Sequence, residues 1–354
     1  MRRPYIDWAR GLAILAMIEA HTVDAWTREA DRMSIAFRNA RILGGFAAPL
    51  FLWLAGVSAA LSAAAIVRRT NSRRTAVETV CARGLEIFIL AFLFRVQAFV
   101  LSPGGELLAL FRVDILNIMG PALILTALAW AIAGAPRVQA LCLAAIAAGI
   151  AAVTPIVRTA EVVHRLPTIV QWYLRPAGSQ TTFVMFPWAG FVFAGAAAGA
   201  LLAPVEDPDR ELRLQVALGI IGAVLIAAGF YGATLPSPYR ESSFWTSSPA
   251  YFAIRVGIVM CVPAALCAMQ NRFRASAFSW LQTLGRSSVF VYWIHVELVY
   301  GYASWLWRGR LPLPATLAAC AVFTVLMYWA VRLRDFALQA WRRSRQAPPL
   351  SATA

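Results

Sequence analysis

Apolar runs long enough to cross a bilayer recur from one end of this chain to the other. They fall at roughly 7–26, 42–66, 84–101, 113–133, 138–157, 183–203, 213–233, 250–269, 279–302 and 313–333. A helix needs about 20 mostly apolar residues to span the hydrocarbon core, and only helices or closed barrels satisfy their backbone groups there. The sequence therefore predicts an all-α polytopic membrane protein of about ten transmembrane helices. The count becomes eleven if residues 158–182 hide a short interfacial or re-entrant helix. Pro and Gly clusters punctuate the runs: SPGG at 102–105, GAP at 134–136, LPSP at 235–238 and LPLP at 311–314. Only 14% of the 354 residues are charged, against about 25% in soluble domains, which leaves no room for a separate soluble domain. Residues 1–335 read as a single membrane domain, and 336–354 as a basic, partly disordered tail.

The net charge of +15 comes entirely from Arg, since the chain has no Lys. Membrane topology explains it better than nucleic acid, which is excluded as a partner. Arg2 and Arg3, the RRTNSRR connection with Arg68, Arg69, Arg73 and Arg74, then Arg210 and Arg213, Arg272 and Arg274, and the tail arginines Arg332, Arg334, Arg342, Arg343 and Arg345 all fall on one side. The positive-inside rule makes that side, and both termini, cytoplasmic. Outside connections mix Arg with acids, as in TREADR at 27–32. The five cysteines show no CxxC or Cys/His spacing, so neither a disulfide framework nor a metal site is expected. The first apolar run follows at once on Arg2 and Arg3 and lacks a clean small-residue cleavage site, so it is expected to stay as helix one.

That first helix, IDWARGLAILAMIEAHTVDAW at 6–26, carries Asp7, Arg10, Glu19, His21 and Asp24. Each ionised group at the bilayer centre costs roughly 2.5–3.5 kcal/mol. At 100° per residue Arg10 and His21 lie only about 20° apart in azimuth, with Asp7 and Asp24 within roughly 60°. Four polar residues thus form one stripe from edge to edge, the pattern of a cavity wall, while Glu19 falls on the opposite face. Arg95, Gln97, Asp114, Asn117, Arg255, His295 and Glu297 lie at a similar outer depth in other spans. Glu86 reads as a structural residue near the inner surface, and His164 as a solvated loop residue.

Arg10 and His21 form R-x10-H, and this resembles the opening of the transmembrane acyltransferases. Two branches share it: the acyltransferase-three sugar O-acyltransferases and the heparan-α-glucosaminide N-acetyltransferase catalytic-domain family with its small bacterial members. APLFLWLAGVSAAL at 48–61, VDILNIMGPAL at 113–123, FPWAGFVFAGAAAGALL at 186–202 and LGRSSVFVYWIHVELVY at 284–300 resemble the second branch, in order. The resemblance implies an enzyme of the bacterial inner membrane that moves an acetyl group from cytoplasmic acetyl-CoA to an amino or hydroxyl group of an extracytoplasmic sugar. It implies His21 as the catalytic histidine and Asp7 and Arg10 as support for the donor end. A homodimer rests on family analogy only.

The chemistry suits these residues. A neutral imidazole takes the proton from an attacking hydroxyl or amine, or accepts the acetyl group itself and passes it on. Both routes stay open at this point. Asp24, Asp114 or Glu297 are candidates to orient His21, and Asn117, Arg95 or Arg255 to stabilise the oxyanion. His295 is a further candidate for a direct role. Arg10, Arg68, Arg69, Arg73, Arg74 and Arg286 are candidates for CoA phosphates, because guanidinium forks match phosphate. The competing reading is a small-molecule or glycolipid transporter, since a polar midplane cavity also marks transporters. An inactive scaffold is the third.

Overall fold

A computed structural model describes residues 3–101, 107–272 and 278–346. Among them are fourteen α-helices: α1 (Pro4–Trp26), α2 (Ile35–Gly44), α3 (Ala47–Thr70), α4 (Arg73–Leu101), α5 (Ile115–Ile132), α6 (Pro136–Thr159), α7 (Glu161–His164), α8 (Thr168–Leu174), α9 (Met185–Leu202), α10 (Pro208–Thr234), α11 (Pro249–Arg272), α12 (Ser279–Arg286), α13 (Ser288–Tyr300) and α14 (Leu313–Gln346). The described residues form no strand beyond two isolated bridges. Eight helices are long and apolar enough to cross a membrane: α3 (counted with α2), α4, α5, α6, α9, α10, α11 and α14. A helix or helix pair stands at each of the ten expected places, but α1 is set apart by its charges and α13 has only 13 residues. The chain is an integral membrane protein on this architecture.

Local chemistry sets the helix ends. Pro4, Pro136 and Pro208 open α1, α6 and α10, where a missing N–H costs nothing. Ser34 caps α2 by accepting the Phe37 N–H at 3.1 Å. Asp114 and Asn117 form a reciprocal capping box at the start of α5. Asn71 ends α3 with φ +51°, the left-handed conformation Asn tolerates.

Close crossings hold the bundle. α3 and α9 touch through Gly56 and Gly195, where a Cβ would run into the carbonyls of Val192 and Trp53. α1 and α12 do the same through Gly11 and Gly285. α1 touches α2, α3, α11, α12, α13 and α14, so it is the hub of the fold. At the end where α1 begins, the Arg3 end, Arg3 donates to Glu211 at 2.7 Å and to the carbonyls of Leu202 and Val205. At the other, the Thr27 end, the backbone N–H of Arg28 donates to Leu311 O at 2.8 Å.

Two expectations are corrected here. The RRTNSRR stretch is no open loop: Arg68 and Arg69 close α3, and Arg73 and Arg74 open α4, which starts eleven residues before the expected span. The ninth run breaks at Ser287 into α12 and α13. Gly285 there must press against the backbone of Asp7, and Arg286 turns back to pair with it. Residues 158–182 do hold short helices, as the alternative count allowed, and there are two of them, α7 and α8. α14 continues to Gln346, so residues 336–346 at the start of the basic tail are helical. The SPGG turn at 102–105, Arg2, Arg274 and residues 347–354 lie outside the described residues, and the side chains of Arg272 and Arg345 are likewise not described.

Candidate active site

The stripe on α1 faces a cavity of about 1030 Å³. That is at the top of the usual range for ligand pockets, so it has room for more than one small ligand. Arg10, His21 and Asp24 all line it. Because Arg10 and Asp24 lie fourteen residues and about four turns apart, the cavity follows α1 through most of its length. Towards the Arg3 end the wall is Ser58, Ser62, Thr79, Arg83, Glu86 and Ser288. Apolar side chains such as Phe51, Leu54, Met119 and Leu123 line the middle. Towards the Thr27 end come Tyr300, Asp114, Arg41, Arg255, Trp188 and Thr182.

At the Arg3 end Asp7 is buried, 4% exposed, and accepts from Arg10 Nη1 at 3.1 Å and Arg286 Nε at 3.3 Å. Arg10 Nη2 also donates to Ser58 Oγ at 2.6 Å, and that hydroxyl donates to Leu54 O. Arg10 is therefore strung between α1 and α3 with its charge on the cavity. Arg83 and Glu86, one turn apart on α4, pair at 2.8 Å on the opposite wall.

Around His21 the geometry is different. Its ring centroid lies 5.0 Å from that of His295 and 5.5 Å from that of Tyr300. His21 Nδ1 is buried without a hydrogen-bond partner, which leaves Nε2 as the ring nitrogen open to the cavity. His295 is fully buried behind it, its Nδ1 2.8 Å from Val291 O. Asp24 accepts the Tyr300 hydroxyl at 3.1 Å and pairs with Arg41. Asp114 accepts from Arg95 Nη2 at 2.5 Å. Arg255 lies over Tyr251 at 4.6 Å and Trp188 at 5.1 Å, and donates to Gly45 O at 3.2 Å.

The expected residues divide accordingly. His21, Asp24, Asp114, Arg10 and Arg255 share the cavity wall, and Asp7 stands behind Arg10. Asn117 is 1% exposed, absent from the wall, and accepts the Asp114 N–H through its Oδ1 at 3.0 Å; it holds the start of α5. Glu297 does not line the cavity, and neither Asp24 nor Asp114 hydrogen-bonds His21. Arg95 serves Asp114 rather than the cavity. Arg68 donates to Ala203 O at 3.2 Å, and Arg69 is exposed beside it. Arg73 closes the end of α5 by donating to the carbonyls of Trp130 and Ala133. Arg74 pairs with Glu78 at 2.7 Å. Glu86, expected to be structural, is on the wall, and Glu19 is half-buried with its carboxylate against Gly44 of α2. His164 lies exposed in α7. Among the described residues no group of three or more His, Cys, Asp or Glu is placed to hold a metal.

One comparison decides the family. The sequence profile of heparan-alpha-glucosaminide N-acetyltransferase, catalytic, matches residues 2–230. The chain belongs to that family. The match takes in α1 to almost the end of α10, and with them Asp7, Arg10, His21, Asp114 and Asn117. Arg255, Arg286, His295, Glu297 and Tyr300 come from beyond the matched span. The cavity wall therefore draws residues from within the matched span and from beyond it. No curated protein matches it.

Sequence reasoning missed Arg83, Arg41, Ser58 and Tyr300. Arg83 sits just before the expected third span, and Arg41 just before the second, so both read as boundary charges. The Tyr300 ring was legible only as one aromatic among several at a span end. Its place five residues after His295 puts it about 140° round an ideal helix, so helical periodicity did not mark it.

Proposed function

We propose that this protein transfers an acetyl group from acetyl-CoA, entering at the Arg3 end, to a sugar amine or hydroxyl entering at the Thr27 end. The Arg3 end is cytoplasmic by the positive-inside rule, in a bacterial inner membrane. The observation that carries the reading is His21 on the wall of one cavity that has guanidiniums towards one end and a carboxylate–tyrosine cluster towards the other.

The donor's pantetheine arm lies along the wall with Arg10, Arg83, Ser58 and Ser62. Arg68, Arg69 and Arg286, outside the cavity at the same end, meet the nucleotide phosphates. Asp7 fixes Arg10 and Arg286 for this. The acceptor's N–H or O–H gives its proton to His21 Nε2 as its heteroatom attacks the thioester carbonyl carbon. The C–S bond then breaks, and the leaving thiolate takes the proton back from the imidazolium. Arg255 or Arg41, both on the wall towards the Thr27 end, balances the developing oxyanion. Direct transfer is favoured because one cavity holds both substrates. The amine is the first acceptor class to test, since the family is named for N-acetylation. Acetylation of a hydroxyl, as by the acyltransferase-three branch, is the alternative.

The test is CoA release by purified protein in lipid nanodiscs, with acetyl-CoA and a panel of amino and hydroxyl sugars. Acceptor-dependent release that drops by about 10²- to 10⁴-fold in His21→Ala is expected. Acceptor-independent release lost in the same variant would indicate an acetylated His21 instead. Absence of both release and acetyl-CoA binding would overturn the reading in favour of transport.

A further inference from the structure

Among the described residues no carboxylate hydrogen-bonds or ion-pairs with His21, although a general-base imidazole needs its proton held on the nitrogen turned away from the substrate. In hydrolytic triads a carboxylate does this. Here Asp24 is engaged by Arg41 and Tyr300, and Asp114 by Arg95 and the start of α5. What stands behind His21 is His295.

His295 has a fixed tautomer. Its Nδ1 lies 2.8 Å from Val291 O, and a carbonyl can only accept, so Nδ1 carries the proton. Its Nε2 is then a bare lone pair. That nitrogen is buried with no hydrogen-bond partner, in a side chain that is 0% exposed. His21 Nδ1 is buried and unpartnered as well. The two rings lie 5.0 Å apart, centre to centre, and tilted by 55°. This is close to the spacing of two imidazoles joined edge to edge by one N–H···N bond. Two orphaned polar atoms on neighbouring buried rings each carry a desolvation cost of about 1–3 kcal/mol. A hydrogen bond between them removes both costs.

We infer that His295 Nε2 accepts a hydrogen bond from His21 Nδ1–H, and so holds His21 as the tautomer whose Nε2 lone pair faces the cavity. His295 is a positioning residue: it moves no proton and touches no substrate. When His21 Nε2 takes the acceptor's proton, the imidazolium that forms donates more strongly through Nδ1–H to the same lone pair. When the thiolate takes that proton, His21 returns to the Nδ1–H form. A neutral partner in place of a carboxylate suits a site far from water, because no buried negative charge has to be compensated between turnovers. The role rests on His21 acting as the base in the reading above.

The chain has three histidines, so ¹⁵N-histidine labelling in nanodiscs gives a readable spectrum, with His164→Asn removing the exposed one. The wild type is expected to show protonated Nδ1 and unprotonated Nε2 at both His21 and His295. In His295→Phe, His21 is expected to shift to the Nε2–H form or a mixture, with kcat down by roughly 10- to 100-fold and KM for acetyl-CoA unchanged. His295→Gln, whose amide oxygen can accept in place of Nε2, is expected to recover most of kcat. Nε2-protonated His21 in the wild type overturns the proposal, and so does a His21 tautomer indifferent to His295→Phe or a Gln variant no better than Phe. The wild-type spectrum needs neither a stable variant nor activity. The expected tautomers without CoA release would therefore sink the acetyltransferase reading alone, and release with the opposite tautomer would sink the histidine pair alone.

Discussion

Asp7 is the most deeply buried charge of the α1 stripe, and its worth follows from its partners. Its side chain is 5% exposed, while those of Arg10 and Arg286 are 29% and 43% exposed. Breaking a fully buried pair costs roughly 3–5 kcal/mol, and exposed pairs are worth little, so this one falls between them, at about 2 kcal/mol. Asp7→Asn is expected to lower thermal stability in detergent by that amount and to release Arg286 from α1. Acetyl-CoA affinity should fall with it, because both guanidiniums lose their anchor. An unchanged melting temperature would show that Asp7 is not what anchors the two guanidiniums. The stripe itself was legible in the sequence, since helical periodicity fixes azimuth within one helix. Which residue faces His21 from another helix was not, because that depends on how α13 is rotated against α1. So Asp24, Asp114 and Glu297 were proposed as its partner, and a histidine occupies the place.

Caps and breaks show the same division among the elements. The Asp114–Asn117 box lies within four residues and rests on local bonds. The break at Ser287 was hidden, because 279–302 is apolar enough to read as one span and only the approach of Gly285 to α1 splits it. The joint between α1 and α14 is a third case. Asp31 Oδ2 accepts the Leu313 N–H at 2.7 Å, and its other oxygen accepts from Arg28 at 3.1 Å. These bonds, the Leu313 N–H first, hold its carboxyl below the usual carboxylate range. A carboxyl depressed in the folded state contributes stability above its unfolded value and loses it as pH falls through the folded one. Asp31→Asn is therefore expected to melt earlier than wild type at pH 7. The gap should narrow as the pH falls below about 4, where the carboxyl of the unfolded chain takes up its proton, and close once the folded carboxyl protonates at lower pH. A gap that widens in acid would assign the stability to another group.

At the scale of the whole molecule the reading depends on sidedness. A transferase whose donor and acceptor come from opposite sides needs one cavity reached from both ends, with different chemistry at each. Thr79 marks the wall towards the Arg3 end and Thr182 the wall towards the Thr27 end. α14 bears on the same question. At 1.5 Å per residue its 34 residues measure about 51 Å, well beyond a hydrocarbon core of about 30 Å. Its last turns, with Arg342 and Arg343, therefore stand clear of the core at the Arg3 end, where the positive-inside rule puts the cytoplasm. All five cysteines are unpaired, so a cysteine-free background is attainable by replacement with Ala or Ser. On it, Thr79→Cys is expected to react with a membrane-impermeant maleimide from the cytoplasmic face only, and acetyl-CoA should slow that reaction. Thr182→Cys should react from the opposite face only, with acetyl-CoA leaving it unprotected. Reversed labelling would turn the topology over and put the donor at the Asp24–Tyr300 end. Labelling of both positions from a single face would show that the cavity opens to one side, and transfer across the bilayer would fall with it.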